Sequence, residues 1–448
     1  MEFNRSILNS KNTLFLWGSL SMVLYALWAY KLARFEHFNL LAIYSVLFGF
    51  YYLILKQPKI KERHLTYLAI GLRLVFIGAL PNLSQDFYRF IWDGRLILSG
   101  MNPYLNTPND LVVSQPDLFP QMKALFDGMG TLSASHYSNY PPIHQLPFVI
   151  AAIVSKHTIL GSVIVLRLIL IAADLGTLFF GKKLLKKFQL PTRNIYWYIL
   201  NPLVIIELTG NLHFEGLMLF FFIMALYYVH SKKWHLAALT MALSIAVKLV
   251  PILSLPLFLT QLGWKKGIRF YLSVGIVFTL LFMPFLSGDF FENYSATIGL
   301  WFSKFEFNAS FYYLLKWGLE TTANITLIHA MGLIVASYLL LHTSYFLVQH
   351  NTQTTALIHR ILWILSGYFL ISTTVHPWYV ISLLLLSVFT NYKFARVWSY
   401  TLIFSYFAYN QFSVDETWYM LCLEYLPVIV VLVWELYNQN SAQKLKHH

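Results

Sequence analysis

Apolar residues recur along this chain in runs of about 20 residues, separated by short polar or basic stretches. Runs of that length cross a hydrocarbon core of about 30 Å as helices. The pattern therefore predicts an all-α integral membrane bundle rather than a soluble domain with an anchor. The first three runs cover residues 13–32, 40–55 and 67–80. Lys56, Lys59, Lys61 and Arg63 follow the second run, and Arg5 and Lys11 precede the first. The positive-inside rule puts both groups, and the amino terminus, in the cytoplasm. The third run then exits at Pro81, and the longest polar stretch, 82–142, lies outside. The apolar stretch 143–155 starts behind Pro141-Pro142 and is too short to span, so it reads as interfacial or re-entrant. Counting it as a crossing would put Lys182, Lys183, Lys186, Lys187 and Arg193 on the wrong side.

Further crossings are expected at 161–180, 195–209 and 217–230. The stretch 236–262 is interrupted by Lys248-Leu249-Val250-Pro251 and reads as two short crossings that meet on the outer side. Residues 270–286 go out, 289–308 form a second outer loop, 326–348 return, and 350–360 lie inside. A hairpin over 361–375 and 379–390 turns at His376-Pro377, and 397–409 and 419–436 complete the bundle. Lys444 and Lys446 finish in the cytoplasm. The total is about fourteen crossings. They make one integral domain over 1–448: an extracytoplasmic loop with juxtamembrane helices (82–158), the remaining helices of a catalytic half (160–290), and a more variable carboxy-terminal half (291–448).

Composition agrees with this pattern. Of 448 residues, 58% are hydrophobic and only 11% charged, and mean hydropathy is +0.58; soluble domains carry about 25% charged residues. The net charge of +13 does not point to nucleic acid, because the basic residues form short clusters between apolar runs rather than a stripe. A single cysteine, Cys422, excludes an internal disulfide and a multi-cysteine metal site. The first run lacks a small-residue cleavage site and reads as a retained span. His447-His448 are either native or a tag remnant.

Ionisable residues near membrane depth are costly and mark candidate sites. If residues 86–95 are helical, Asp86, Arg89 and Asp93 share one face, and the two carboxylates stand about 10 Å apart. At that separation they cannot share one metal ion. One suits a base and the other a positioning role, while an Asp86–Arg89 ion pair tying down the loop is an equal alternative. The aromatic residues of this loop read as interfacial belt before sugar platforms. Tyr140-Pro141-Pro142 reads first as a rigid helix start. Asn211-Leu212-His213-Phe214-Glu215 is a capped turn, a polar clamp for hydroxyls, or half a metal site. Lys248 either snorkels or holds a phosphate. His376-Pro377-Trp378-Tyr379 reads as a hairpin turn.

The stretch from Ser84 through Asp86-Phe87-Tyr88-Arg89-Phe90-Ile91-Trp92-Asp93-Gly94 to Gly100-Met101-Asn102-Pro103-Tyr104 resembles the first-loop signature of bacterial lipid-phosphate-mannose-dependent mannosyltransferases of the GT-C superfamily. Tyr140-Pro141-Pro142, Asn201-Pro202 to Glu215, Lys248-Leu249-x-Pro251, Phe307-Asn308-x-Ser310 and Pro377-Trp378-Tyr379 echo that family in order. The resemblance implies a GT-C-like bundle and an inverting transfer of a sugar, mannose by analogy, from a polyprenyl-phosphate donor to a glycan or glycolipid acceptor. It also implies that Asp86 is the catalytic base. The family often has an acidic pair here; this chain has Gln85 before Asp86, which allows a divalent metal without favouring one, and no cofactor is expected.

Such a transfer needs a base for the acceptor hydroxyl and positive charge for the departing phosphate. Arg89, Arg95 and Lys248 are the candidate phosphate contacts. Tyr88, Trp92, Asp93, Asn102, Tyr104, Tyr140, Asn211, His213, Glu215 and His376 are the candidate substrate contacts. The expected location is the cytoplasmic (inner) membrane, with both termini inside and the active site outside. The competing class is a transporter or flippase of a lipid-linked sugar, but such proteins carry repeats of broken helices with ionisable groups near the midplane. Here the polar residues gather in the outer loops and no repeat is evident.

Overall fold

The structure is a computed structural model describing residues 10–303, 305–323, 326–349, 352–411 and 413–444. Arg5, His350, Lys446 and the terminal His447-His448 lie outside these. The described residues are helical throughout apart from turns and two isolated bridges, Phe307 with Thr374 and Tyr409 with Val414. The chain opens with α1 (Ser10–Lys31), α2 (His37–Leu55) and α3 (Glu62–Leu74). It then enters four shorter helices, α4 (Asp86–Leu98), α5 (Pro108–Ser114), α6 (Met122–Ala134) and α7 (Pro142–Val154), before the long α8 (Ile159–Lys187).

Among the described residues, six helices are long and apolar enough to cross a membrane: His37–Leu55, Ile159–Lys187, Val250–Phe285, Leu327–Val348, Thr354–Ile371 and Trp418–Asn438. A seventh results if Pro202–Gly210 and Glu215–His230, bent by 114°, count as one broken span. About fourteen crossings were expected; several of those runs are not single straight helices. The stretch 195–209 breaks at Asn201-Pro202 and winds into a π-helical turn over Ile205–Gly210. The helix Trp234–Val247 stops where Lys248 adopts an extended backbone, ahead of Pro251. At 13 and 14 residues, α7 and Trp234–Val247 rise only about 20 Å, less than a hydrocarbon core.

The stretch 289–308, read from sequence as a loop, contains a helix, Phe290–Ser303. Phe290 and Tyr294 recur one turn apart and pack with Tyr104 and Phe282. That contact gives the segment a face to bury.

Basic segments gather at one end of the bundle. Lys182 pairs with Glu62 at 2.8 Å, Thr192 donates to Glu62, and Arg193 donates to the carbonyls of Leu55, Gln57 and Ile60. Buried charges tie the helices together further in. Arg73 on α3 meets Asp174 on α8 at 2.8 Å. Arg167 on α8 donates to the carbonyls of Ile77, Ala79, Thr209 and Gly210. Helix ends that would otherwise leave orphan acceptors thus share one guanidinium.

The helix α4 lies deep against α7. Phe90 stacks on Phe148 at 4.7 Å, with Tyr140, His144 and Phe214 around the pair. Gly94 makes this approach feasible: a β-carbon there would stand 2.2 Å from the Phe148 carbonyl oxygen. Because the obstacle is backbone, Gly94→Ala is expected to push α4 off α7 and cost about 1–3 kcal/mol. The check is the melting temperature in detergent, and an unchanged value would contradict the packing.

Candidate active site

Asp86 occupies the first turn of α4, where free amides and the helix dipole favour a carboxylate. Its backbone N–H donates to Ser84 Oγ. The side chain keeps 41% of its surface open, with protein around the rest. This enclosure raises its carboxyl above the usual range; His213 and Lys248 pull it back down, Glu215 pushes it up, and Arg34 lowers it.

These neighbours come from distant parts of the chain. His213 Nε2 stands 3.8 Å from Asp86 Oδ2. It lies just after Leu212, whose φ of +64° is uncommon for a branched residue and turns the chain from the π-helical segment into the Glu215–His230 helix. Glu215 heads that helix and pairs with Lys248, whose ammonium also sits 4.6 Å over the Tyr379 ring. Arg34, between α1 and α2, stacks 4.1 Å over Tyr409 and donates to the Leu83 carbonyl. Tyr140, Tyr379 and Tyr409 are near enough to feel the Asp86 charge.

Behind His213 lies a buried polar chain. Its Nδ1 is 3.1 Å from Glu207 Oε2. Glu207 also accepts from Asn211 Nδ2 at 3.1 Å and from the Tyr406 hydroxyl, while Asn211 Oδ1 accepts the Leu83 N–H. Trp378 stacks on the His213 ring at 3.6 Å and 22°, and His376 stacks on the other side of Trp378 at 4.5 Å. Burial, with Lys248 and His213 nearby, pushes the His376 imidazole down to about 3. His376 is therefore neutral.

The remaining sequence candidates sit elsewhere. Arg89 pairs with Asp93 at 2.7 Å, with both side chains buried, and donates to the carbonyls of Ser133 and His136. Asp93 also accepts from Ser138 Oγ at 2.6 Å and Gln145 Nε2 at 3.3 Å. This pair locks α4 to the 133–145 segment; the Asp86–Arg89 ion pair weighed from sequence is replaced by Arg89–Asp93. Arg95 is buried and donates to the Pro120 carbonyl and Gln121. Trp92 is fully buried against Phe119 and Phe126. Tyr88 packs beside Phe87. Asn102 donates to the Phe285 carbonyl and accepts the Tyr104 N–H, and Tyr104 donates to the Tyr140 carbonyl.

The structure thus brings Asp86, Lys248, Tyr140, Asn211, His213 and Glu215 together. Sequence reading did not count Arg34, Glu207, Trp378 or Tyr406 among the candidate contacts, although Trp378 lay in a motif it named. Glu207 carried a signal, an acid inside an apolar run; Tyr406 and Arg34 carried none. Among the described residues no group of three or more His, Cys, Asp or Glu side chains could hold a metal ion. A cavity of about 560 Å³ lies beyond the other end of α4 beside Ser99, Phe119, Lys123 and Lys156, about 20 Å along the helix from Asp86.

A family model described as "Alpha-(1->6)-mannopyranosyltransferase, N-terminal domain" matches residues 15–263, which include Asp86, Glu207, His213, Glu215 and Lys248. The chain belongs to this family. It is also similar to alpha-(1->6)-mannopyranosyltransferase A of Mycobacterium tuberculosis, 22% identical over 262 residues, covering 57% of this chain and 48% of that protein. The chain thus matches about half the length of that curated relative. Family membership and the apolar helices make it an integral membrane protein. Trp378, His376, Tyr406 and Tyr409 come from beyond the matched region, so the site is closed by the carboxy-terminal part of the chain.

Proposed function

We propose that this protein is an inverting, GT-C-type mannosyltransferase that moves mannose from a polyprenyl-phosphate donor to an acceptor hydroxyl. The observation that carries the reading is a half-open carboxylate at a helix start, flanked by Lys248 and Arg34 in one cleft. Asp86 takes the acceptor proton as the acceptor oxygen forms its bond to the sugar C1. The C1–O bond to phosphate breaks, and the lipid phosphate leaves with the electron pair. Lys248 and Arg34 supply the positive charge that this departure needs. Arg89, bonded to Asp93 and the Ser133 and His136 carbonyls, and Arg95, bonded to Pro120 and Gln121, hold the scaffold. Tyr140, Tyr379 and Tyr409 offer ring faces to the sugar.

The basic end of the bundle is the cytoplasmic side by the positive-inside rule, which puts both termini inside and α4–α7 on the extracytoplasmic face of the inner membrane. The shorter broken helices complete the crossings there. The amino-terminal and carboxy-terminal parts act as one integral domain.

The test is to incubate purified protein with polyprenyl-phosphate mannose and candidate glycan or glycolipid acceptors, and to weigh the products. Mannose added to an acceptor supports the reading; donor moved across vesicles without transfer overturns it. Lys248→Met is expected to lower turnover about 10²- to 10³-fold and to leave Glu215 buried without its cation. Breaking a buried pair costs about 3–5 kcal/mol; with Lys248 28% exposed, about 2 kcal/mol is expected. Adding Glu215→Gln should restore the melting temperature but not turnover. Recovery of both would remove Lys248 from the phosphate site.

A further inference from the structure

We propose that His213, held from behind by the buried Glu207, is the positioning residue that orients Asp86 for proton abstraction. The inference rests on the reading of Asp86 as the base. His213 is 3% exposed, yet neither ring nitrogen makes a hydrogen bond among the described residues. Buried polar groups are ordinarily satisfied, and each exception is costly. Here Nε2 lies 3.8 Å from Asp86 Oδ2 and Nδ1 lies 3.1 Å from Glu207 Oε2, so a small turn of the ring would bring it into hydrogen-bond geometry.

The other parts of the cluster restrict the ring. Asn211 and the Tyr406 hydroxyl fix the two Glu207 oxygens, so that carboxylate cannot turn away. Trp378 lies flat on the imidazole, which sets the ring plane. His376 backs Trp378, and the turn that carries both is pinned by Phe307, which exchanges backbone hydrogen bonds with Thr373 and Val375. Asp86 itself has an open side, and His213 is its ion-pair partner among the described residues. An Nε2–H on that ring, given to the carboxylate, holds the other oxygen toward the acceptor and favours the ionised form of Asp86. The acceptor proton ends on Asp86; His213 keeps its own proton count throughout.

The groups facing Asp86 are His213, Lys248, Glu215, Arg34, Tyr140, Tyr379 and Tyr409. Those facing Glu207 are His213, Tyr406, Tyr44 and Tyr409. Removing His213 takes away the largest influence lowering the Asp86 carboxyl. The acid limb of the pH–rate profile should therefore move to higher pH in His213→Gln. Glu207→Gln is expected to lower kcat about 10- to 100-fold with little change in either KM. Asp86→Asn combined with His213→Gln should be no slower than Asp86→Asn alone. Unchanged kcat and pH profile in His213→Gln would overturn the proposal.

A second measurement needs no turnover. In protein carrying ¹⁵N-labelled histidine, with the His213 signals assigned by their loss in His213→Gln, Asp86→Asn should shift Nε2 and Glu207→Gln should shift Nδ1. Signals indifferent to both changes overturn the coupling. Coupled signals in a protein that transfers no sugar would leave the Glu207–His213–Asp86 chain standing and sink the transferase reading instead.

Discussion

Replacing Asp86 with asparagine is expected to cut transfer about 10²- to 10⁴-fold, the usual worth of a general base, while the protein still folds and binds donor. Asparagine keeps the shape of the side chain and can accept from His213 Nε2, but it cannot take the acceptor proton. The lost helix-start interaction is worth about 0.3–1 kcal/mol and is offset by removing an enclosed charge. In the parent protein, activity needs the ionised carboxylate. Because enclosure raises the Asp86 carboxyl, turnover should begin to fall at a higher pH than the value of about 3.9 for a free aspartate would suggest. Single-turnover rates from pH 4 to 8 in parent and variant are the measurement. Near-normal rates in Asp86→Asn would remove the mechanism.

Arg89→Leu should produce the largest loss of stability, about 3–5 kcal/mol. The Arg89 and Asp93 side chains are 4% and 0% exposed, so removing the guanidinium leaves a carboxylate buried without its cation. It also frees the carbonyls of Ser133 and His136. The loss appears as a lower melting temperature in detergent. Adding Asp93→Asn should recover part of it, because the amide can still meet Ser138 and Gln145 without a charge to neutralise. The same variants separate two roles for Arg89. A phosphate contact would raise the donor KM and leave stability alone; a scaffold lock would do the reverse.

The legible parts of the site were those compressed into short stretches. Asp86 through Asp93 lie within two helical turns, so their relative positions follow from helix geometry alone. Asn211, His213 and Glu215 are nearly adjacent, and Lys248 betrays itself as a cation interrupting an apolar segment. Arg89 shows where such reading stops. A charge on a loop helix looks the same in sequence whether it faces a ligand or a buried partner, and only the Asp93 and 133–145 contacts decide. Trp378 and Tyr406 illustrate the other gap: each resembles an ordinary interfacial aromatic until a partner more than 160 residues away is known.

The membrane-spanning character, the helical class and the position of the acidic loop were determined by the sequence alone. Each depends on local composition and period, which hydrophobic burial reads directly. Which apolar runs stay straight, which charges face the cleft, and how Glu207 meets His213 were decided only by tertiary structure. Those outcomes depend on how buried polar groups find partners across the bundle, and a one-dimensional pattern contains no record of that pairing.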